Sequence, residues 1–200
     1  MEQEILKQFL FNKKLKFNEI EKGLKVRSNK LSYHLKSLVK KQILEKKDEQ
    51  YFLSETAENL IPYLSDKKST LPVILIQIGN KNNVFLHKRK KRPFKDFLSL
   101  PGGRLLIKES PEQAAKRIME NKFNIKIEQI KIKSISLEHV KKSNKILHSF
   151  LLILIQAKTK DNIELTNVNK NKLKITSSDY KLIKQEQEEI KIKKITTIIK

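Results

Sequence analysis

The chain has 200 residues, with 44 Lys and Arg against 22 Asp and Glu, a formal net charge of +22. At 38% hydrophobic residues it can bury one large core or two modest ones, which excludes wholesale disorder. The absence of cysteine excludes a disulfide scaffold, a cysteine zinc site and thiol catalysis. The acidic Met-Glu-Gln-Glu-Ile-Leu start carries no signal-peptide pattern, and the longest apolar run, Phe150 to Ile155, is far short of the ~20 residues a membrane span needs. These features predict a soluble cytoplasmic protein with no membrane partner. A polyanion is the first partner such a charge suggests, although richness in Lys, Ile and Asn is also what an AT-biased genome produces.

The polar stretch Ser65-Asp-Lys-Lys-Ser-Thr70 divides a mainly helical first part from a strand-rich second part. Residues 1–65 hold 13 Lys and Arg and 9 Asp and Glu, a net of +4, so the remainder carries +18. The organisation expected is a domain over 1–65, a linker over 66–70 and a second domain over 71–200.

In the first part, Ile5, Leu6, Phe9 and Leu10 fall on one helical stripe of residues 2–12, and Phe17, Ile20 and Leu24 on a second short helix. Ser28 is an N-cap candidate for a third helix, in which Leu31, Leu35, Leu38 and Val39 form the buried face. Ile43 to Lys46 and Tyr51 to Leu53 read as strands around a turn at Lys47, Asp48 and Glu49, and Ser54-Glu-Thr begins a fourth helix running to about Leu64. This order, with the string from Ser28 to Leu38, Ile43-Leu-Glu-Lys and Tyr51-Phe-Leu-Ser-Glu-Thr-Ala, resembles the ArsR/MarR-type winged helix-turn-helix regulators. The resemblance implies binding of double-stranded DNA, as a homodimer. It departs at Gln42, where those families place a glycine to end the recognition helix, so a strained or rearranged exit is expected there.

A helix enters the major groove through a polar, basic face with short donors near its N-terminus. Ser28, Asn29, Lys30, Ser32 and Tyr33 supply hydrogen-bonding groups, Lys36 and Lys40 can neutralise phosphates, and Lys46 and Lys47 sit where a wing would touch the backbone. The same face is also what an ordinary solvated helix presents. His34, beside the apolar stripe, suits packing or a dimer contact as well as base reading.

In the second part, strands are expected at Val73 to Ile78, Val84 to Lys88 and Ile146 to Gln156, the last of these burying His148. Leu100-Pro-Gly-Gly-Arg104 is followed by Glu109, with five residues between it and Gly103, and by Arg117, with seven residues between it and Glu109. Ser110 can cap a helix with Pro111 and Glu112 in its first turn and Ala114, Ala115, Ile118 and Met119 on its apolar face. The spacing resembles the front of the Nudix signature, and the likeness spans about residues 71–190. It implies an α/β/α sandwich with a mixed sheet, making the whole chain α+β. It also implies that Gly102, Gly103, Glu109 and Arg117 serve the architecture of the box, the two glycines in the tight turn that opens its loop.

The family continues with glutamates that hold divalent metal ions against a diphosphate. Here those positions are Ile118, Asn121 and Lys122, and the closing glycine is Asn124. Ile offers no ligand, Asn a neutral oxygen, and an ammonium repels a divalent ion. Glu120 is about 200° from Ile118 around a helix and so lies on another face, while Glu186, Glu188 and Glu189 are acids without a place. The expectation is therefore no catalytic residue, no metal site and no cofactor, with Mg or Mn only for an active hydrolase. Arg89, Arg92, Arg104 and Lys122 can instead meet phosphates directly. The run His87 to Lys95 reads equally as a ligand site, a solvated loop or a second contact with a DNA backbone. The four histidines show no metal-ligand spacing. Three functions remain: a DNA-binding regulator whose impaired Nudix-like domain senses a nucleotide-like or phosphorylated effector, a divergent Nudix hydrolase of a nucleoside diphosphate derivative with an accessory winged helix, and an architectural nucleic-acid binder in which the C-terminal surface adds charge. Enzymatic activity is left open between them.

Overall fold

The computed structural model describes residues 1–58, 60, 63–64, 69–185 and 188–192, and forms two compact units, Met1–Lys68 and Ser69–Lys200. Most of the expected linker, and the middle of the expected fourth helix, lie outside the described residues. Among the described residues no helix is long and apolar enough to cross a membrane.

The first unit runs α1 (Glu2–Gln8), β1 (Lys14–Lys16), α2 (Phe17–Leu24), α3 (Ser28–Lys40), β2 (Leu44–Lys47), β3 (Gln50–Leu53) and α4 (Glu55–Glu58). The strand β1 has no counterpart in the sequence reading; Lys-Leu-Lys is too short to show a period, yet it pairs antiparallel with β3 to make a three-stranded sheet. The first helix stops at Gln8, short of residue 12, because Phe9 and Leu10 turn back on Leu6 and Lys7 carbonyls. Ile5, Ile20, Leu31, Leu35, Leu38 and Leu44 are at most 1% exposed and form the core. A second tie is polar: the Glu2 carboxylate accepts from Ser37 Oγ at 3.0 Å and from Lys41 Nζ at 2.8 Å.

The start of α3 differs from expectation, and its exit shows the strain expected at Gln42. Arg27, not Ser28, is the N-cap, and the Ser28 hydroxyl donates instead to the Glu21 carboxylate. At the exit, Gln42 adopts the left-handed conformation itself, with φ 56°. Gln42 N–H donates to Val39 O at 2.9 Å and Ile43 N–H to Leu38 O at 3.0 Å, the two bonds of a Schellman motif. The Gln42 carbonyl then accepts from Ser54 Oγ at 2.7 Å, joining the helix exit to the end of the hairpin. The exit is thus strained but not rearranged. In the hairpin turn Asp48 and Glu49 also have positive φ, 47° and 67°, as a two-residue loop with matching twist requires.

The second unit is built on a four-stranded mixed sheet in the order β8–β4–β10–β9. Its elements are β4 (Leu71–Ile78), β5 (Asn83–Val84), β6 (His87–Lys88), β7 (Leu98–Ser99), β8 (Gly102–Arg104), α5 (Pro111–Phe123), β9 (Glu128–Lys142), β10 (Lys145–Lys158), β11 (Thr166–Asn167), a 3₁₀ turn at Lys172–Lys174 and α6 (Ser177–Lys184). The central pair, β4 with β10, is parallel, from Phe150↔Leu71 to Ala157↔Ile78. Continuous apolar runs there mean burial on both faces. Ile74, Ile76, Ile153 and Ile155 pack under α5 with Ala114, Ala115, Ile118 and Met119. Leu75, Leu152 and Leu154 face the other way, onto Leu182 and Ile183 of α6. The α+β class, with a sandwich around a mixed sheet, is present. His148 is not buried: β10 outruns β4 at its start, and a register shift falls between Ile146 and His148, leaving the ring exposed.

Replacing Gln42 by Gly removes the side chain's penalty for left-handed backbone and is expected to stabilise the protein by about 1 kcal/mol. Urea unfolding followed by circular dichroism checks this; an unchanged or lower midpoint contradicts the assignment of strain to Gln42.

Candidate functional site

Gly102 and Gly103 lie in strand β8, not in a turn, and close approach is what demands them. A Cβ on Gly102 would stand 2.8 Å from Leu75 Cδ2 and 2.9 Å from Ile74 O, and one on Gly103 would stand 3.0 Å from Ile118. The loop after β8 is closed by one ion pair. Arg117 Nε donates to the Glu109 carboxylate, and Arg117 Nη2 donates to Glu109 Oε2 at 2.9 Å and to Arg104 O at 3.0 Å. Glu109 Oε2 also accepts from Leu106 N–H at 3.1 Å. The guanidinium thus holds the Glu109 carboxyl below the usual carboxylate range.

Ser110 caps α5, accepting from Gln113 N–H at 3.2 Å while Gln113 Oε1 accepts from Ser110 N–H at 2.8 Å. At the far end Asn124 takes the left-handed cap at φ 54°, its N–H donating to Glu120 O at 2.9 Å. Asn is among the few non-glycine residues that accept this conformation readily.

Ile118 is fully buried in the core between α5 and the sheet. Complete burial of such a side chain contributes roughly 1.5–3 kcal/mol. One turn on, the Lys122 ammonium donates to the Gly102 carbonyl. Burial lowers the Lys122 pKa, and the charges of Arg117, Arg89 and Lys91 lower it further. Lys122 is therefore close enough to Arg117, Arg89 and Lys91 to feel each as a like charge. Asn121 and Glu120 are exposed. The Arg104 side chain is exposed too, and joins the group only through its carbonyl; Arg92 is exposed on the neighbouring loop. His87 borders the cluster, its ring 5.1 Å from that of Phe123, and burial pushes its pKa down.

A divalent ion held by carboxylates does not fit this arrangement. Ile118, Asn121 and Lys122 offer no charged oxygen, and among the described residues no group of three or more His, Cys, Asp or Glu could hold a metal ion. Glu189 is engaged elsewhere, accepting from Lys131 at 2.7 Å beside β9; Glu188 is exposed, and Glu186 lies outside the described residues.

The opposite face of the sheet carries residues that the sequence did not single out. A small cleft is lined by Val73, Leu75, Phe150 and Leu152 together with Arg89, Phe94 and two acids, Glu138 and Asp179. Asp179, 3% exposed, accepts from Ser99 Oγ at 2.6 Å and from Leu100 N–H at 2.8 Å. Burial pushes its pKa up. An acid in the first turn of a short amphipathic helix is unremarkable in sequence, and its partners are some 80 residues away.

In the first unit, Ser28, Asn29, Lys30, Tyr33, Lys36 and Lys40 are exposed on α3 and Ser32 is half-buried. Lys46 pairs with Glu49 at 3.4 Å and lies 5.9 Å from the Tyr51 ring centre; Lys47 pairs with Glu45 at 2.8 Å. His34 is half-buried, its ring 5.4 Å from that of Tyr33.

Two outcomes follow from this geometry. Ile118→Glu places an unpartnered carboxylate in the core and is expected to cost about 3–5 kcal/mol in urea unfolding, whereas Lys122→Glu, at an exposed position, is expected to cost far less. Because the Glu109 pKa is depressed in the folded state, its pair with Arg117 stabilises above the ordinary carboxylate range and is lost as pH falls through the lowered value. Glu109→Gln should therefore lower the urea midpoint at about pH 7, and the difference should shrink as pH falls through the lowered Glu109 pKa. A difference that persists in acid contradicts the pair's role.

Residues 68–183 match the family model described as NUDIX domain. Solved structures similar to the chain include the NUDIX domain of Shewanella oneidensis NrtR complexed with ADP ribose, at 14% identity and TM-score 0.48, covering 66% of this chain and 95% of that one. The MutT NUDIX hydrolase from Burkholderia pseudomallei is 22% identical at TM-score 0.42, covering 50% of this chain and 75% of that one. Shewanella oneidensis NrtR complexed with a 27mer DNA is 15% identical at TM-score 0.45, covering 57% and 59%. Among curated proteins no sequence matches. With more than half its length matched by the family model, the chain belongs to the NUDIX domain family.

Proposed function

We propose that the protein is a DNA-binding transcriptional regulator whose NUDIX domain binds a nucleotide-like or phosphorylated effector without hydrolysing it. The observation that carries this reading is Lys122, an ammonium seated on the Gly102 carbonyl where the family places a metal-binding carboxylate. A cation there can neutralise a phosphate directly and repels the metal that hydrolysis requires. Arg89, Arg92 and Arg104 are the further phosphate-binding groups we assign. Arg89 lines both the cationic cluster and the cleft beside Asp179, so an anion joined to a flat or apolar group is the ligand class that suits the site.

For the first unit, the order helix, strand, helix, helix and hairpin supports a winged helix with α3 as its recognition helix. Ser28, Asn29, Lys30, Ser32 and Tyr33 are assigned to base edges and nearby phosphates, Lys36 and Lys40 to the backbone, and Lys46 and Lys47 to wing contacts. The regulator is proposed to act as a homodimer, matching the two-fold symmetry of a palindromic operator; a monomeric mass at micromolar concentration in sedimentation equilibrium contradicts this.

Fluorescence anisotropy at about 150 mM salt tests the regulator reading, comparing duplex from the protein's own promoter with a scrambled duplex. The expected preference for the promoter is about 10³-fold or more, and Lys36→Ala with Lys40→Ala should reduce the salt slope by about 2. Equal affinity for both duplexes overturns the reading for that promoter. Calorimetric titration with ADP tests the ligand site: affinity should be unchanged by EDTA and abolished by Lys122→Glu. Release of phosphate-containing products from a nucleoside diphosphate derivative with Mg²⁺ would favour the hydrolase instead.

A further inference from the structure

Between β6 and β7 the chain forms a hairpin whose shape is tightly held. The ladder continues beyond the two strands, with Arg89 N–H donating to Phe97 O at 2.8 Å and Asp96 N–H to Arg89 O at 2.9 Å. The Arg89 guanidinium reaches across the loop to Pro93 O at 3.0 Å, and Phe97 N–H closes on Phe94 O at 3.3 Å. The tip carries two aromatic rings, Phe94 and Phe97, whose centres are 6.3 Å apart in an edge-to-face arrangement. They remain 37% and 42% exposed.

The charge on this hairpin is unbalanced. Its one acid, Asp96, is paired with Lys88 at 3.4 Å. Lys90, Lys91, Arg92 and Lys95 are exposed and have no acidic partner among the described residues. Four free cations around two partly open rings call for a partner that offers flat apolar faces strung on negative charges.

We propose that the hairpin over residues 88–97 binds single-stranded nucleic acid, with Phe94 and Phe97 stacking on bases while Lys90, Lys91, Arg92 and Lys95 hold the phosphates. A duplex hides its base faces, so there only the cations would contribute. An anionic lipid surface shares the charge requirement, but rings already shielded by more than half present a face to stack on and little area to sink into acyl chains. This interaction is separate from the duplex contact assigned to α3; it shares Arg92 and Phe94 with the effector site proposed above, so the two ligands would compete.

Anisotropy of a labelled oligothymidylate with the full-length protein at about 150 mM salt tests the proposal. Phe94→Ala with Phe97→Ala is expected to weaken binding about tenfold or more and to leave duplex affinity unchanged. Phe97→Leu, which keeps the apolar bulk and removes the ring, is expected to lose several-fold and guards against a double variant that fails to fold. Lys36→Ala with Lys40→Ala should leave oligothymidylate binding intact whatever it does to duplex binding. Parent-like affinity in both Phe variants overturns the proposal. So does a loss confined to vesicles containing phosphatidylserine, which would make the hairpin a lipid contact.

Discussion

The second unit depends on a single constraint: the parallel pair of β4 and β10 is apolar on both faces and must be covered on both. Antiparallel sheets can leave one face to water, but these strands cannot. One face takes α5 and the other α6, and every further feature of the site is a consequence of where those helices land. Strand β8 sits against β4 so closely that a Cβ at Gly102 would strike the Ile74 carbonyl. That closeness brings the loop after β8 within reach of Arg117, whose bonds to Glu109 and Arg104 O close it.

The same covering explains what became of the box. Ile118 belongs to the core beneath α5, so its position contributes packing and carries no charge. Lys122, one turn later, donates to the Gly102 carbonyl. Opposing electrostatic logics meet in one scaffold. The Glu109–Arg117 pair stabilises the loop by attraction, while Lys122 lies where burial and the like charges of Arg117, Arg89 and Lys91 oppose its protonated form.

In the first unit, α3 has its apolar stripe fully engaged and its exit pinned by a Schellman motif and by Ser54. The Glu2 carboxylate fastens the first helix to Ser37 and Lys41 near the end of α3. What remains outward on α3 is mostly polar and basic.

Much of this was legible in the sequence, for identifiable reasons. Periodicity placed α2 and α3, because an i, i+4, i+7 stripe is a local signal, and the polar turn at Lys47, Asp48 and Glu49 placed the two strands beside it. Spacing from Gly103 through Glu109 to Arg117 disclosed the box, and residue chemistry alone showed that Ile118 and Lys122 cannot hold a metal. Tertiary structure decided the rest. A three-residue strand at Lys14–Lys16 has no period to read and exists only because β3 offers it an edge. Ser28 lost the cap because Glu21, a residue of the preceding helix, claimed its hydroxyl. Asp179 meets Ser99, and Lys122 meets Gly102, across separations no local pattern encodes. Residue type and near-neighbour spacing determine which chemistry is available; only the packing of distant segments determines which groups share a site, because hydrogen bonds and charges act through space and not along the chain.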